Sequence, residues 1–191
     1  ALELYERGRW AEAEHELRQA LEIDPDQGDW HFNLGLTLER TGRDAEALAC
    51  FEQAARLLPD AVDPKLAVGA TCLRLARFTE AEKCLELALT MKQSMEQAWA
   101  MLIDAQSALG KFDEAETSFY LAQDALRDQS APVLVAMSCS LSAQGKLERA
   151  IWCAREAIKI DSSVVGGRLQ LANALVASGQ GQQAAQILLQ E

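Results

Sequence analysis

Apolar residues recur along this chain at three- and four-residue steps, in runs of helix length separated by short polar breaks. Leu34 and Leu38, followed by Ala47, Phe51 and Ala54, have the spacing of two successive amphipathic helices, each with one apolar stripe and one polar face. Between such halves stand Gly8, Gly42, Gly110, Gly145 and Gly179, where a residue of positive φ closes one helix and lets the chain turn. Pro25 and Pro59 follow a second helix and stop it, since proline lacks an amide donor and disfavours helix in the residue before it. Asp63 before Pro64, and Ser130 shortly before Pro132, predict helix starts in which a capping side chain precedes a first-turn proline.

The pattern is periodic. The unit from Gly28 to Ala61 carries Leu34-Gly35, Gly42, Ala47, Phe51, Ala54 and Pro59. Thirty-four residues on, Val68-Gly69, Ala76, Ala81, Leu85 and Ala88 take those places, and Leu102-Ile103, Gly110, Ala115, Phe119 and Ala122 follow after another thirty-four. One inserted residue, Ser130, precedes Met137-Ser138, Gly145, Ala150, Ala154 and Ala157. The spacing predicts full repeats at 28–61, 62–95, 96–129 and 131–164, flanked by partial repeats at 1–27 and 165–191. Each repeat is an antiparallel helical hairpin. Gly35, Gly69, Ser138 and Ala172 let its two helices approach, while Ala47, Ala81, Ala115, Ala150 and Ala184 let the second helix pack closely. A hairpin leaves one apolar side open for its neighbour, so stability requires the array.

This 34-residue pattern resembles the tetratricopeptide repeat, and the resemblance covers the whole chain. It implies an all-α fold, a superhelical solenoid of hairpins forming one domain, whose first helices line a concave groove. There are departures. The tryptophan usual in the first helix appears only as Trp99, with His31, Lys65, Leu134 and Arg168 at the same place elsewhere, and Gln93, Arg127 and Ser162 replace the terminal proline. The third full repeat carries Ile103 at a small-residue position and Gln106 at a bulky apolar one, which predicts a slightly splayed hairpin. The partial end repeats predict that the chain is part of a longer protein.

Composition narrows the partners. Among 191 residues, 18 Lys and Arg face 29 Asp and Glu, and the resulting net charge of -11 disfavours phosphate backbones and anionic lipid heads. No apolar run approaches the ~20 residues that cross a bilayer. The five cysteines, Cys50, Cys72, Cys84, Cys139 and Cys153, form no C-x-x-C pair and read as small buried residues of a reducing, cytoplasmic protein. His15 and His31 have no ligand-spaced carboxylate or thiol, and no phosphate-binding glycine loop or nucleophile elbow is present. No enzyme activity, metal or cofactor is expected.

The resemblance assigns a binding groove to the first helices. Its candidate residues are Phe32, Asn33, Leu36 and Arg40 in the first full repeat, Leu66, Ala70 and Arg74 in the second, and Ala100, Met101 and Asp104 in the third. Val135, Cys139, Leu169 and Asn173 continue it, with Leu2, Leu73 and Val176 on the same faces and Asp29 and Asp63 at the rim. A carboxylate clamp for acidic chaperone tails, known in this family, is disfavoured: only Asn33 stands at a matching place, and Ala67 and Met101 occupy positions where a clamp wants Asn or Arg. The expected function is a protein-interaction scaffold that takes an amphipathic helix or extended peptide with basic flanks into an apolar, acidic-rimmed groove. Packing of the same stripe against the next helix is an equally good reading. Two alternatives stay open: self-assembly through the groove or the repeat ends, and service as the substrate-recruiting arm of a larger enzyme.

Overall fold

The structure, a computed structural model, describes residues 2–189, with the Leu2 side chain left outside. Those residues form α1 (Leu2–Glu6), α2 (Trp10–Ile23), α3 (Gly28–Arg40), α4 (Asp44–Leu57), α5 (Val62–Arg74) and α6 (Phe78–Met91). The chain continues through α7 (Glu96–Ala108), α8 (Phe112–Leu126), α9 (Ala131–Ala143), α10 (Leu147–Ile160), α11 (Gly167–Ala177) and α12 (Gly181–Leu189). No strand occurs among the described residues. The helices gather into two compact units, Ala1–Met91 and Lys92–Glu191.

Within each unit the hairpins close where the sequence places small residues. A Cβ on Gly35 would lie 2.5 Å from Phe51 Cε1, and one on Gly69 would lie 2.8 Å from Leu85 Cγ, so the first helix rides directly on the large residue of the second. In the α9–α10 hairpin Ser138 serves instead, its Oγ donating to the Ala150 carbonyl at 2.9 Å. The turns use Gly42 at φ +76° and Gly145 at φ +73°, but the α5–α6 turn uses Ala76 at φ +56°. That side chain in left-handed backbone costs about 1–2 kcal/mol.

Two recurrent devices fix the joints. The fourth residue of a repeat reaches back six positions to a carbonyl at the end of the preceding one: His31 Nε2 to Pro25 at 2.8 Å, Trp99 Nε1 to Gln93 at 2.8 Å, and Lys65 Nζ to Pro59. At the mouth of the second helix an arginine forks onto a glutamate three residues later, with Nε to carboxylate distances of 2.6 Å for Arg9–Glu12, 2.7 Å for Arg43–Glu46 and 2.8 Å for Arg77–Glu80. Arg43 also grips Glu14 of α2 at 2.8 and 2.9 Å, tying neighbouring hairpins together. Such exposed pairs contribute little to stability individually and act mainly to set geometry.

The expected caps differ. Asp63 lies inside α5, which is preceded by Ala61, and makes no cap. Ser130 stands at the cap position of α9, but its hydroxyl donates to Glu96 Oε2 at 2.8 Å, so the orphan amides of α9 receive no side-chain cap. Pro132 lessens the loss because it has no amide to satisfy.

The third full repeat departs in its packing. In the other joints inside a unit, the new first helix packs on the preceding second helix: α3 on α2, α5 on α4, α11 on α10. Here α9 packs chiefly on α7 and only lightly on α8, and α7 meets α8 more sparsely than the helices of the α3–α4, α5–α6 and α9–α10 hairpins meet. Ile103 is fully buried where Gly35 and Gly69 stand, and it holds α8 off. The buried pair behind it is polar, Ser118 Oγ donating to Gln106 Oε1 at 2.8 Å. Helix α8 ends in left-handed Arg127, and the inserted Ser130 lets α9 slide toward α7. Helix α9 is uncharged and buried on most sides, as a helix apolar all round must be.

Candidate functional site

In the first unit, the candidate face lies on α3 and α5. Phe32, Asn33 and Leu36 are half-buried, as are Leu66, Ala70 and Leu73, while Arg40 and Arg74 are exposed. Phe32 is anchored by its ring, 5.6 Å from that of Phe51. Both arginines are engaged. Arg40 Nε donates to Tyr5 Oη at 3.1 Å, and Arg74 holds Glu39 at 3.1 Å, Asp44 at 3.0 Å and Thr71 Oγ1 at 3.0 Å. Exposed Asp29 and Asp63 show no hydrogen bond or ion pair of their carboxylates among the described residues. The arginines thus serve the joints, and the free charge of this face is acidic.

The second unit presents α7, α9 and α11. Ala100, Met101, Val135 and Cys139 are half-buried, Leu169 and Val176 are 55% and 62% exposed, and Asn173 is exposed. Gly166 in left-handed backbone starts α11 and brings its first turn against Val135, whose Cγ1 would stand 3.8 Å from a Cβ there. Asp104 occupies the centre of α7 on this face. Water reaches its carboxylate, yet so much protein surrounds it that burial pushes its pKa up to about 6. Burial, reinforced by the Asp104 charge, raises the Cys139 thiol to about 11. One helical turn beyond Cys139, the Ser142 hydroxyl oxygen is buried without a hydrogen-bond partner.

None of the fourteen candidate positions is fully buried, so neither unit spends this stripe wholly on packing against a next helix. The joint latches and arginine forks went unforeseen. So did a cavity of about 560 Å³ between α4, α5 and α6, lined by Ala55, Val68, Cys72, Cys84 and Leu87 with Lys83 and Glu52 at its edge. Burial raises the Cys72 thiol to about 11 and moves Cys84 the same way, so both stay protonated and poorly nucleophilic at neutral pH. His31 is occupied by the Pro25 carbonyl. No cluster of three or more metal-ligating side chains occurs among the described residues, and no helix is long and apolar enough to cross a membrane.

The tetratricopeptide repeat family model matches residues 1–62. No curated protein matches the chain. Among solved structures, a tetratricopeptide repeat protein from Parabacteroides merdae superposes with a TM-score of 0.83 at 15% identity, over 97% of this chain and 73% of that one. The Pseudomonas aeruginosa pilF structure gives 0.73 at 20% identity, covering 99% and 86% of the two chains. MamA AMB-1 gives 0.71 at 25% identity, covering 85% and 95%. With the family model over residues 1–62 and the helical hairpins, the 34-residue register and these likenesses in agreement, the chain has the fold of tetratricopeptide repeat proteins.

Proposed function

We propose that this chain is a protein-interaction scaffold that holds an amphipathic helical or extended segment of a partner on the first-helix faces of its repeats, without catalysing a reaction. The carrying observation is the stripe of Met101, Val135, Cys139, Leu169 and Val176, half-buried or exposed, with Asp104 on the same helix as Met101 and shifted by burial rather than by any cation among the described residues. An apolar strip of this kind supplies binding free energy by leaving water, and the acidic groups select a partner with basic residues. The same polarity argues against acidic tails, since Arg40 and Arg74 are already engaged within the fold. Five free thiols, all with raised pKa, fit residence in a reducing compartment, and we propose the cytoplasm.

Affinity capture from source-cell lysate tests the reading with three baits: wild type, Leu66→Glu for the first unit and Val135→Glu for the second, each checked for native helicity. Both positions are half-buried, so a charge there fouls the face at moderate cost to the fold. Proteins retained by wild type and lost on either variant support the proposal. Equal retention on all three refutes it.

A further inference from the structure

We propose that Asp104 sets the specificity of the α7–α9–α11 face, accepting a Lys or Arg side chain that the partner segment presents between apolar residues. This deepens the scaffold reading and rests on it. The basic residue then belongs at the centre of the bound segment, with apolar contacts on both sides, rather than in a flank.

The geometry carries it. Asp104 lies one helical turn beyond half-buried Met101 on α7, and α7 packs closely on α9, where Val135 and Cys139 are half-buried. Helix α9 has no charged residue at all, so the closest neighbouring helix offers no counter-ion. The other charges are used elsewhere. Glu96 at the start of α7 accepts from Ser130, Arg149 of α10 pairs with Glu116 of α8 at 2.7 Å, and Arg168 of α11 has a partner of its own. Neither these nor Asp113, Glu114 and Asp124 of α8 shifts the Asp104 carboxyl; only burial does. A carboxylate beside apolar groups and without a counter-ion favours an incoming ammonium or guanidinium, whose apolar neighbours then exclude water from the pair.

The test uses the full 191-residue chain and two fluorescein-labelled helical peptides with leucines in the same positions, one carrying lysine and the other glutamine between them. Anisotropy titrations compare wild type, Asp104→Asn, Asp124→Asn at an exposed position of α8 as the charge-matched control, and Val135→Glu. The expected result is that wild type binds the lysine peptide at least tenfold more tightly than the glutamine peptide. Asp104→Asn loses at least fivefold of that affinity, whereas Asp124→Asn loses less than twofold. Acidification from pH 7.5 to 5 weakens the lysine complex of wild type far more than that of Asp104→Asn. Carboxyl carbon resonances should show the Asp104 titration moving to lower pH when the lysine peptide is present. If Asp104→Asn binds like wild type while Val135→Glu abolishes binding, the specificity role falls and the scaffold face stands. If Val135→Glu also binds like wild type, the face itself is wrong. Failure of the lysine peptide to bind wild type overturns the proposal.

Discussion

Replacing Ser118 by alanine removes one donor from the third full repeat and strands its acceptor. Ser118 and Gln106 are 5% and 4% exposed, and the 2.8 Å bond between them crosses from α8 to α7 where the hairpin is already sparse. Without the hydroxyl, the Gln106 carbonyl oxygen faces apolar neighbours and water cannot reach it easily. The lost bond and the unsatisfied acceptor together cost about 1–3 kcal/mol. Gln106→Leu should cost less, about 0.5–1.5 kcal/mol, because the orphaned Ser118 hydroxyl can turn back to the carbonyl four residues earlier on its own helix. The double variant puts two apolar groups at an apolar interface, close to what other repeats have there, and should recover most of the loss. Urea unfolding followed by circular dichroism measures all four proteins, with a coupling of roughly 1–2 kcal/mol expected from the cycle. Equal slopes across the series would confirm that the comparison reflects native-state interactions. An Ser118→Ala cost below about 0.5 kcal/mol, or a double variant as unstable as the sum of the singles, would refute the idea that a polar pair holds α7 to α8.

Gly35→Ala sets about 1 kcal/mol of helix propensity against a Cβ placed 2.5 Å from the fully buried Phe51 ring, and overpacking of about 1–3 kcal/mol should win, lowering the melting temperature. Trp99→Phe keeps most of the ring and loses the 2.8 Å bond to the Gln93 carbonyl, so denaturation should report a loss of about 0.5–1.5 kcal/mol. Asp104 holds its proton to about pH 6 when folded against an ordinary 3.8, so between those values the native state binds more protons than the unfolded state and stability falls as pH rises. Asp104→Asn should therefore flatten urea midpoints between pH 4 and 6 and stabilise the protein at pH 7.5; an unchanged pH profile would contradict the raised pKa of Asp104. Cys139, raised to about 11, should react with a disulfide reagent at pH 8 roughly a hundredfold more slowly than an unperturbed thiol, as followed by mass spectrometry of modified peptides.

The repeat was legible because its markers are steric. Gly42 and Gly145 have positive φ, Ala47 and Ala81 are fully buried, and Gly35 faces Phe51, so the spacing itself carries the fold. The departure of the third repeat was visible in Ile103 and Gln106, but the direction in which α9 moves was not, since that depends on how three helices share one space. The joint latches escaped because histidine, lysine and tryptophan share only an N–H donor, which no residue-type pattern displays. Ser130 looked like a cap and instead bonds to Glu96, thirty-four positions earlier, a long-range competition invisible to local rules. Asp104 was legible as an acidic candidate on a first helix. Its isolation was not, because it follows from the absence of charge on α9 and from close packing of α7 with α9.

Photo-crosslinking tests the central claim most directly: benzoylphenylalanine is placed at Met101, at Leu169 or at exposed Trp152 of α10, and partners crosslinked in source cells are identified by mass spectrometry. The account predicts crosslinks to the same protein from positions 101 and 169, mapping to a segment with a basic residue among apolar ones, and none from position 152. Crosslinks confined to position 152 would contradict it and assign binding to the second-helix surface.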